Sequence, residues 1–280
     1  MKNTVFFGAG QIGSMLVRLS GADINPLCFI DNSKGKWGNA LSGVKILSPD
    51  EGLKLNPDAV VICVLDEIRA GEMKQQLLSS GYSKEIIFAD SLKTFDSRYA
   101  TMRLLAEQIE AENIKGDVAE LGVYKGEFAS CINTAFKNRA IHLFDTFEGF
   151  AESDVQTEKS ENFSRAKSGD FSDTSVETVK SKLPYPENAV FYKGFFPDTF
   201  AACKAEMFAF VSIDADLYEP TAAALPLFFN RLSAGGVLMI HDVNSTQFQG
   251  LKKAVDEFCR ANNLLPMPVC DLHGSVVIRK

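Results

Sequence analysis

The sequence predicts an α/β protein with a doubly wound, mostly parallel sheet, preceded by a smaller Rossmann-like α/β domain. Three observations support this fold class. Apolar runs of strand length alternate with helical segments, a glycine-bearing turn follows an early strand in each half, and an acidic residue ends several strands. The length of 280 residues allows two domains. We expect a small Rossmann-like α/β domain at residues 1–92 and a larger domain at residues 93–280.

The first domain opens with a strand at residues 4–7, followed by a GxGxxG turn formed by Gly8, Gly10 and Gly13. A helix to residue 19 and a strand at 26–30 come next, and that strand ends at Asp31. This order is typical of a nucleotide site, with the acid placed for a ribose. A strand at 60–64, a helix at 67–80 and a strand at 86–88 complete the domain. Because one such fingerprint is weakly specific, two hypotheses stay open: a site for a nucleotide or nucleotide-sugar, or a docking or dimerising module.

The second domain begins with a helix at 99–112, followed by predicted strands at 117–122, 140–145, 190–192, 207–213 and 236–240. Two further strands at 266–269 and 275–278 are expected to form an antiparallel hairpin. Parallel doubly wound sheets bind ligands beyond the carboxyl ends of their strands. We therefore expect one pocket to gather the polar residues at those ends: Glu120, Asp145, Asp214, His241 and Asp242.

The segment 153–181 is polar and has no strand periodicity. It is either a linker or a lid. Long insertions beside a site in a compact domain are often lids, so the lid interpretation is favoured.

Composition excludes several classes of function. The net charge is −7, and no cluster of Lys and Arg suggests a nucleic-acid partner. No apolar run approaches the roughly 18 residues of a membrane span, and no signal-peptide pattern is present. No cysteine pair has Cys-x-x-Cys spacing, which argues against zinc and dithiol sites. A cytoplasmic protein is the expectation.

The second domain resembles the macrocin O-methyltransferase family of metal-dependent sugar methyltransferases. The resemblance rests on five stretches in the family's order: GDVAELGV at 116–123, LFDTFEGF at 143–150, KGFFPDTF at 193–200, IDADLYEPT at 213–221 and GGVLMIHD at 235–242. It implies a class I methyltransferase fold with S-adenosylmethionine as cofactor. Carried over residue by residue, it assigns cofactor binding to Glu120, Gly122, Tyr124, Gly126, Asp145, Thr146 and Gly194.

The same resemblance implies a divalent cation, Mg²⁺ or Mn²⁺, held by Asp214, His241 and Asp242. Asp214 is also the expected catalytic residue, with Asp216 in reserve. Asp214 could instead cap the following helix, and His241 could be a packed, hydrogen-bonded side chain. The chain departs from the family pattern at His241, where the family usually has Asp, and an imidazole shifts metal preference towards iron, nickel or zinc.

The expected function is O-methylation of a hydroxyl on a sugar, a nucleotide-linked sugar or another small polyhydroxyl compound. Two alternatives stay open: an NAD-dependent or nucleotide-sugar-binding protein that uses the first glycine turn, and a non-catalytic module that retains the cofactor. The sequence is also compatible with a homo-oligomer.

Overall fold

The computed structural model describes residues 2–20, 24–91 and 96–280. Two compact units are formed, one by Met1–Asp96 with Asp271–His273 and the other by Ser97–Cys270 with Gly274–Lys280. The predicted boundary between residues 92 and 93 lies outside the described residues. No helix in the described part of the chain has the length and apolar character that crossing a membrane requires.

The first unit is a parallel sheet with helices. One edge of the sheet ends in a short antiparallel strand. Its elements are β1 Lys2–Phe7, α1 Gln11–Leu19, β2 Ile24–Ile30, β3 Ala40–Leu41, β4 Val44–Leu47, α2 Pro49–Leu53, β5 Ala59–Ile62, α3 Glu67–Ser79 and β6 Glu85–Phe88. The strand order is β3-β4-β2-β1-β5-β6, and only β3 and β4 pair in the antiparallel sense. Both faces of the central strands are buried, which explains their continuous apolar runs.

The second unit contains a seven-stranded sheet in the order β12-β13-β11-β10-β7-β8-β9. Its helices are α4 Ser97–Ala111, α5 Glu127–Ala135, α6 Glu152–Ser160, α7 Val176–Lys182, α8 Tyr218–Arg231 and α9 Gln249–Ala261. Its strands are β7 Asp117–Leu121, β8 Ile141–Asp145, β9 Ala189–Lys193, β10 Phe208–Ile213, β11 Leu232–Ile240, β12 Met267–Pro268 and β13 Val276–Arg279. The predicted α/β class with two mostly parallel sheets is confirmed.

Strand register brings the predicted site residues to one edge of this sheet. The parallel pairs align Leu121 with Phe144 and Ile213, and Ile213 with Ile240. The residues that follow these strands therefore emerge side by side. The hairpin of β12 and β13 is antiparallel, as predicted, and β13 also pairs with β11.

Two glycines in helices of the first unit make a matched test of its packing. A Cβ on Gly13 in α1 would lie 2.4 Å from the Gly8 carbonyl oxygen, whereas a Cβ on Gly71 in α3 would meet no atom within 4 Å. We expect Gly71→Ala to raise the free energy of unfolding by about 0.5–1 kcal/mol, since alanine stabilises a helix relative to glycine. Gly13→Ala should lower it by about 1–3 kcal/mol through overpacking.

Chemical denaturation of the two variants and the parent protein measures both effects. A stability gain in Gly13→Ala equal to that of Gly71→Ala would contradict the packing described for α1.

Candidate functional site

The loop after β7 is held by a close approach to β10 and by one carboxylate. Gly122 has φ +81°, and a Cβ there would lie 2.0 Å from the carbonyl oxygen of Asp214. No side chain fits in that space, so glycine is required. Asp145, at the end of β8, accepts hydrogen bonds at Oδ2 from the amides of Val123 (2.7 Å) and Tyr124 (2.9 Å). The carboxylate therefore fixes the path of the loop.

Asp145 was expected to accept from two ribose hydroxyls, but much of its capacity is used by the protein itself. Its Oδ1 accepts a third backbone bond, from the amide of Phe147 at 2.7 Å. A carboxylate offers about four acceptor positions. One position on Oδ1 thus remains for a further donor, and the described residues place no cationic side chain in ion-pair contact with this acid.

The other predicted cofactor residues lie in the loops after β7, β8 and β9. Gly126 ends the loop at the N-terminus of α5, with φ +81°. The Thr146 hydroxyl donates to the Gly149 carbonyl at 2.8 Å. Gly194 follows β9, and its amide donates to the Asp145 carbonyl at 3.0 Å. Tyr124 has φ +47°, and its hydroxyl reaches into the polar segment described below.

Glu120 lies beneath the site instead of at its surface. It is 1% exposed, and its Oε2 has no hydrogen-bond partner among the described residues. Burial, together with the negative charges of Asp214 and Asp145, raises the pKa of Glu120 well above its usual value, although Arg98 opposes this. Its position one residue before the end of β7 turns the side chain into the interior.

Asp214, which follows β10, lies between two basic groups. Its Oδ2 is 3.1 Å from a guanidinium nitrogen of Arg98, and its Oδ1 is 2.8 Å from Nδ1 of His241. Burial alone would raise the pKa of Asp214, but the charges of His241 and Arg98 hold it below the usual value. Asp214 is therefore ionised at neutral pH and fixed at both oxygens.

His241 bridges two acids. Its Nδ1 also lies 3.2 Å from Oδ2 of Asp242. Burial and Arg98 lower the pKa of His241, yet Asp214 and Asp242 outweigh them and raise it to about 10. The ring is thus an imidazolium at neutral pH when these acids are charged. Its Nδ1 donates to carboxylates, and an imidazolium has no free lone pair, so in this state the ring orients the acids and does not ligate a cation.

Three carboxylates form a compact acidic group at this edge. Asp214, Asp216 and Asp242 each place one oxygen so that all three lie within 4.8 Å of one another. Asp216 and Asp242 have φ of +60° and +55°, conformations that non-glycine residues rarely adopt. Burial and repulsion by the other two acids raise the pKa of Asp216 well above its usual value. An all-oxygen donor set under mutual repulsion fits a hard divalent cation.

Arg98 is a site residue that sequence reasoning missed. Its guanidinium carbon lies 3.8 Å from the centre of the Phe128 ring, and a nitrogen lies 3.4 Å from the Ser212 hydroxyl. The sequence predicted a helix starting at residue 99, whereas α4 starts at Ser97. The signal was available in the helical spacing of Arg98, Met102 and Ala106, which are all buried.

The segment 153–181 includes most of α6 and α7 and the loop between them, and its role as a lid stays a prediction. Asp173 binds both the Tyr124 hydroxyl (2.7 Å) and the Lys125 ammonium group. Glu158 on α6 is fully buried and accepts from the Tyr218 amide at 2.8 Å, at the start of α8. The segment is therefore anchored both to the glycine loop and to α8.

In the first unit, the predicted residues Gly8, Gly10, Gly13 and Asp31 also come together. The Asp31 carboxylate accepts from the amides of Ala9 (2.9 Å) and Ser33 (2.8 Å) and from the Lys36 ammonium group (2.8 Å). Protein donors thus occupy much of the acid expected to bind a ribose.

Comparison with known proteins supports the resemblance seen in the sequence. The family profile described as Macrocin-O-methyltransferase (TylF) matches residues 90–280, and the profile described as C2185-like, N-terminal matches residues 1–88. The chain is 24% identical over 190 residues to the 8-demethyl-8-(2,3-dimethoxy-alpha-L-rhamnosyl)-tetracenomycin-C 4'-O-methyltransferase of Streptomyces olivaceus, covering 64% of this chain and 71% of that protein.

Two further curated relatives are similar over shorter regions. The Mycinamicin III 3''-O-methyltransferase of Micromonospora griseorubida is 27% identical, with coverage of 52% of this chain and 62% of the relative. The Demethyldecarbamoylnovobiocin O-methyltransferase of Streptomyces niveus is 26% identical, with coverage of 58% and 64%. The chain thus spans slightly less than two thirds of each of these two relatives.

Solved structures share the fold. The O-methyltransferase NovP has a TM-score of 0.53 and 22% identity, covering 66% of this chain and 79% of that one. The calicheamicin methyltransferase CalS11 has a TM-score of 0.53 and 18% identity, covering 77% and 94%. Because the family profile extends over residues 90–280, the protein belongs to the macrocin-O-methyltransferase (TylF) family and is an S-adenosylmethionine-dependent O-methyltransferase.

Proposed function

We propose that the protein transfers the methyl group of S-adenosylmethionine to a hydroxyl of a sugar or similar small polyhydroxyl compound, with a divalent cation held by Asp214, Asp216 and Asp242. The observation that carries this proposal is the acidic group itself, three carboxylates within 4.8 Å of one another directly beside the glycine loop. The names of two relatives, a rhamnosyl-tetracenomycin methyltransferase and a mycinamicin methyltransferase, support a glycosylated or sugar acceptor.

The cofactor end of the site is assigned to the loops after β7, β8 and β9. Gly122 and Gly126 let the backbone approach the methionine part closely. Asp145 keeps an acceptor position at Oδ1 for a ribose hydroxyl, and a charge-assisted bond there is roughly twice as strong as a neutral one. Tyr124, Thr146 and Gly194, with Glu120 beneath them, shape the same pocket.

The acceptor end is assigned to the carboxylates after β10 and β11. A bound Mg²⁺ or Mn²⁺ would orient the acceptor hydroxyl and lower its pKa. Arg98 and His241 fix the two oxygens of Asp214, so this acid is positioned but only weakly basic. In the cation-free site Asp216 is the more basic of these two acids, because burial and its acidic neighbours raise its pKa. We therefore assign proton acceptance to Asp216 and a holding role to Asp214, which revises the roles expected from the sequence.

His241 takes a different role from the metal ligand that the family pattern implies. Its Nδ1 lies against Asp214 and Asp242, so it orients both carboxylates. A direct metal contact would require the ring to lose its proton, because an imidazolium has no free lone pair.

An NAD-dependent activity centred on the first glycine turn is less well supported. Asp31 accepts from two amides and is paired with Lys36, which offsets the negative charge that a ribose hydroxyl would meet. We assign the first unit to docking or dimerisation in preference to nucleotide binding.

We expect Asp216→Asn to lower the rate of methyl transfer by about 10²–10⁴-fold, the usual contribution of an acid–base group. The affinity for S-adenosylhomocysteine, measured by calorimetry, should stay within about threefold of the parent, because the cofactor loops are unchanged. Asp214→Asn should also abolish transfer. Because this substitution leaves the charge of Arg98 without its partner, the thermal unfolding of the variant is measured to show that it is folded.

The acceptor for this assay is whichever compound supports turnover in a screen of free, glycosidic and nucleotide-linked hexoses. Asp256→Asn, on the exposed face of α9, is the matched control and should retain full activity. Full activity in Asp216→Asn would assign proton acceptance elsewhere.

Chelation should abolish transfer, and Mg²⁺ or Mn²⁺ should restore it. Direct binding can be followed by the electron paramagnetic resonance signal of free Mn²⁺, independently of turnover. We expect Asp242→Asn to weaken Mn²⁺ binding at least about tenfold, because it removes one of the three anionic ligands. Undiminished transfer in metal-free protein would contradict the cation assignment and would leave the cofactor assignment unchanged.

A further inference from the structure

A cavity of about 230 Å³ lies under the polar segment of the second unit. Complete small-molecule sites measure roughly 300–1,000 Å³, so this cavity suits one portion of a ligand. The residues that line it come from the polar segment and from the loop between β11 and α9: Arg165, Ala166, Asp170, Phe171, Gln247 and Phe248.

The cavity wall is linked to the acidic group by hydrogen bonds and by a shared apolar cluster. The Phe248 amide donates to the Ser245 hydroxyl oxygen, and the Ser245 amide donates to the Asp242 carbonyl at 2.9 Å. Phe248 also belongs to the same buried cluster as Leu217, the residue after Asp216. Asp242 is thus connected to Phe248 through Ser245. Asp216 directly precedes Leu217, which packs in the same cluster as Phe248.

Arg165 is the cation of this cavity. Its side chain is exposed, and within residues 96–280 no carboxylate forms an ion pair with it. Asp170 is the acid among the lining residues, and its Oδ2 accepts a hydrogen bond from the Lys167 amide at 2.9 Å. A guanidinium presents a planar fork of donors that matches phosphate and carboxylate groups.

An aromatic wall stands beside this guanidinium. Phe171 is 43% exposed, yet its ring packs edge-on against Tyr124 and Phe150, with centroid distances of 5.3 and 5.2 Å. Its φ of +66° is rare for a bulky residue, and these contacts hold it. A half-exposed, fixed ring offers an apolar face to a sugar.

We propose that this cavity is an acceptor subsite, in which Arg165 binds an anionic group of the acceptor, a phosphate or a carboxylate, while Phe171 and Phe248 contact the adjoining sugar ring. This subsite rests on the proposed function, since the group must belong to the molecule whose hydroxyl reaches the acidic group.

The test is calorimetry on the full chain saturated with S-adenosylhomocysteine. Three probes distinguish the sources of the interaction: UDP-glucose carries a diphosphate, glucuronate carries a carboxylate, and methyl glucoside is neutral. The variants are Arg165→Gln, Arg165→Lys and Lys167→Gln. Lys167 is an exposed cation of the same loop that does not line the cavity, which makes it the matched control.

We expect Arg165→Gln to weaken binding of at least one anionic probe about tenfold or more, the loss typical of a charge-assisted bond. Arg165→Lys should recover part of that affinity, and Lys167→Gln should match the parent protein. The affinity for methyl glucoside should be the same in all variants. Whichever anionic probe loses affinity identifies the group, phosphate or carboxylate.

Equal affinities of the parent and Arg165→Gln for both anionic probes would overturn the subsite, as would anionic probes that bind the parent no better than methyl glucoside. The preceding titration with S-adenosylhomocysteine reports on the proposed function separately. If it failed to bind, the methyltransferase assignment of this site would fall, whereas its tight binding beside unchanged probe affinities would reject the subsite alone.

Discussion

The site depends on how closely the ends of β7 and β10 approach. The carbonyl of Asp214 occupies the space that a Cβ on Gly122 would need, so the cofactor loop and the first acid are packed directly against each other. The Asp214 side chain is then held between Arg98 and His241. Removing one partner of a buried ion pair costs about 3–5 kcal/mol, because the remaining charge is left without compensation. The position of one carboxylate is therefore coupled to the path of the loop, to α4 and to β11.

The charge balance of this cluster follows from one residue. The family pattern usually has an acid where this chain has His241, and an imidazolium there replaces a negative charge by a positive one. Together with Arg98 it offsets two of the three charges of Asp214, Asp216 and Asp242 when all three are ionised. A site with less net negative charge attracts a divalent cation less strongly. A cation held here would therefore bind more weakly than at an all-acid site, while His241 and Arg98 hold Asp214 in place without one.

Most strands could be predicted because both faces of a parallel sheet are apolar, and the five motifs located the edge where the acids meet. Features that depend on buried polar groups could not. Asp154 and Glu158 lie on the buried side of α6, so a pattern of apolar residues gives no sign of that helix. Arg98 was missed because a charged residue is not counted in an apolar stripe, although its spacing from Met102 and Ala106 is helical. The start of β11 at Leu232 was hidden by Gly235 and Gly236, which resemble a turn.

The glycine loops of the two units are held by the same kind of contact. In each, an acid at the end of the second strand accepts from an amide of the glycine loop: Asp31 from Ala9, and Asp145 from Val123. In the first unit Lys36 then adds an ion pair to the acid. No cation contacts Asp145 among residues 96–280, so its charge is available to a ligand as well as to the loop. A carboxylate therefore fastens the glycine loop in both units, and among the described residues the difference between them is the ion pair of Asp31 with Lys36.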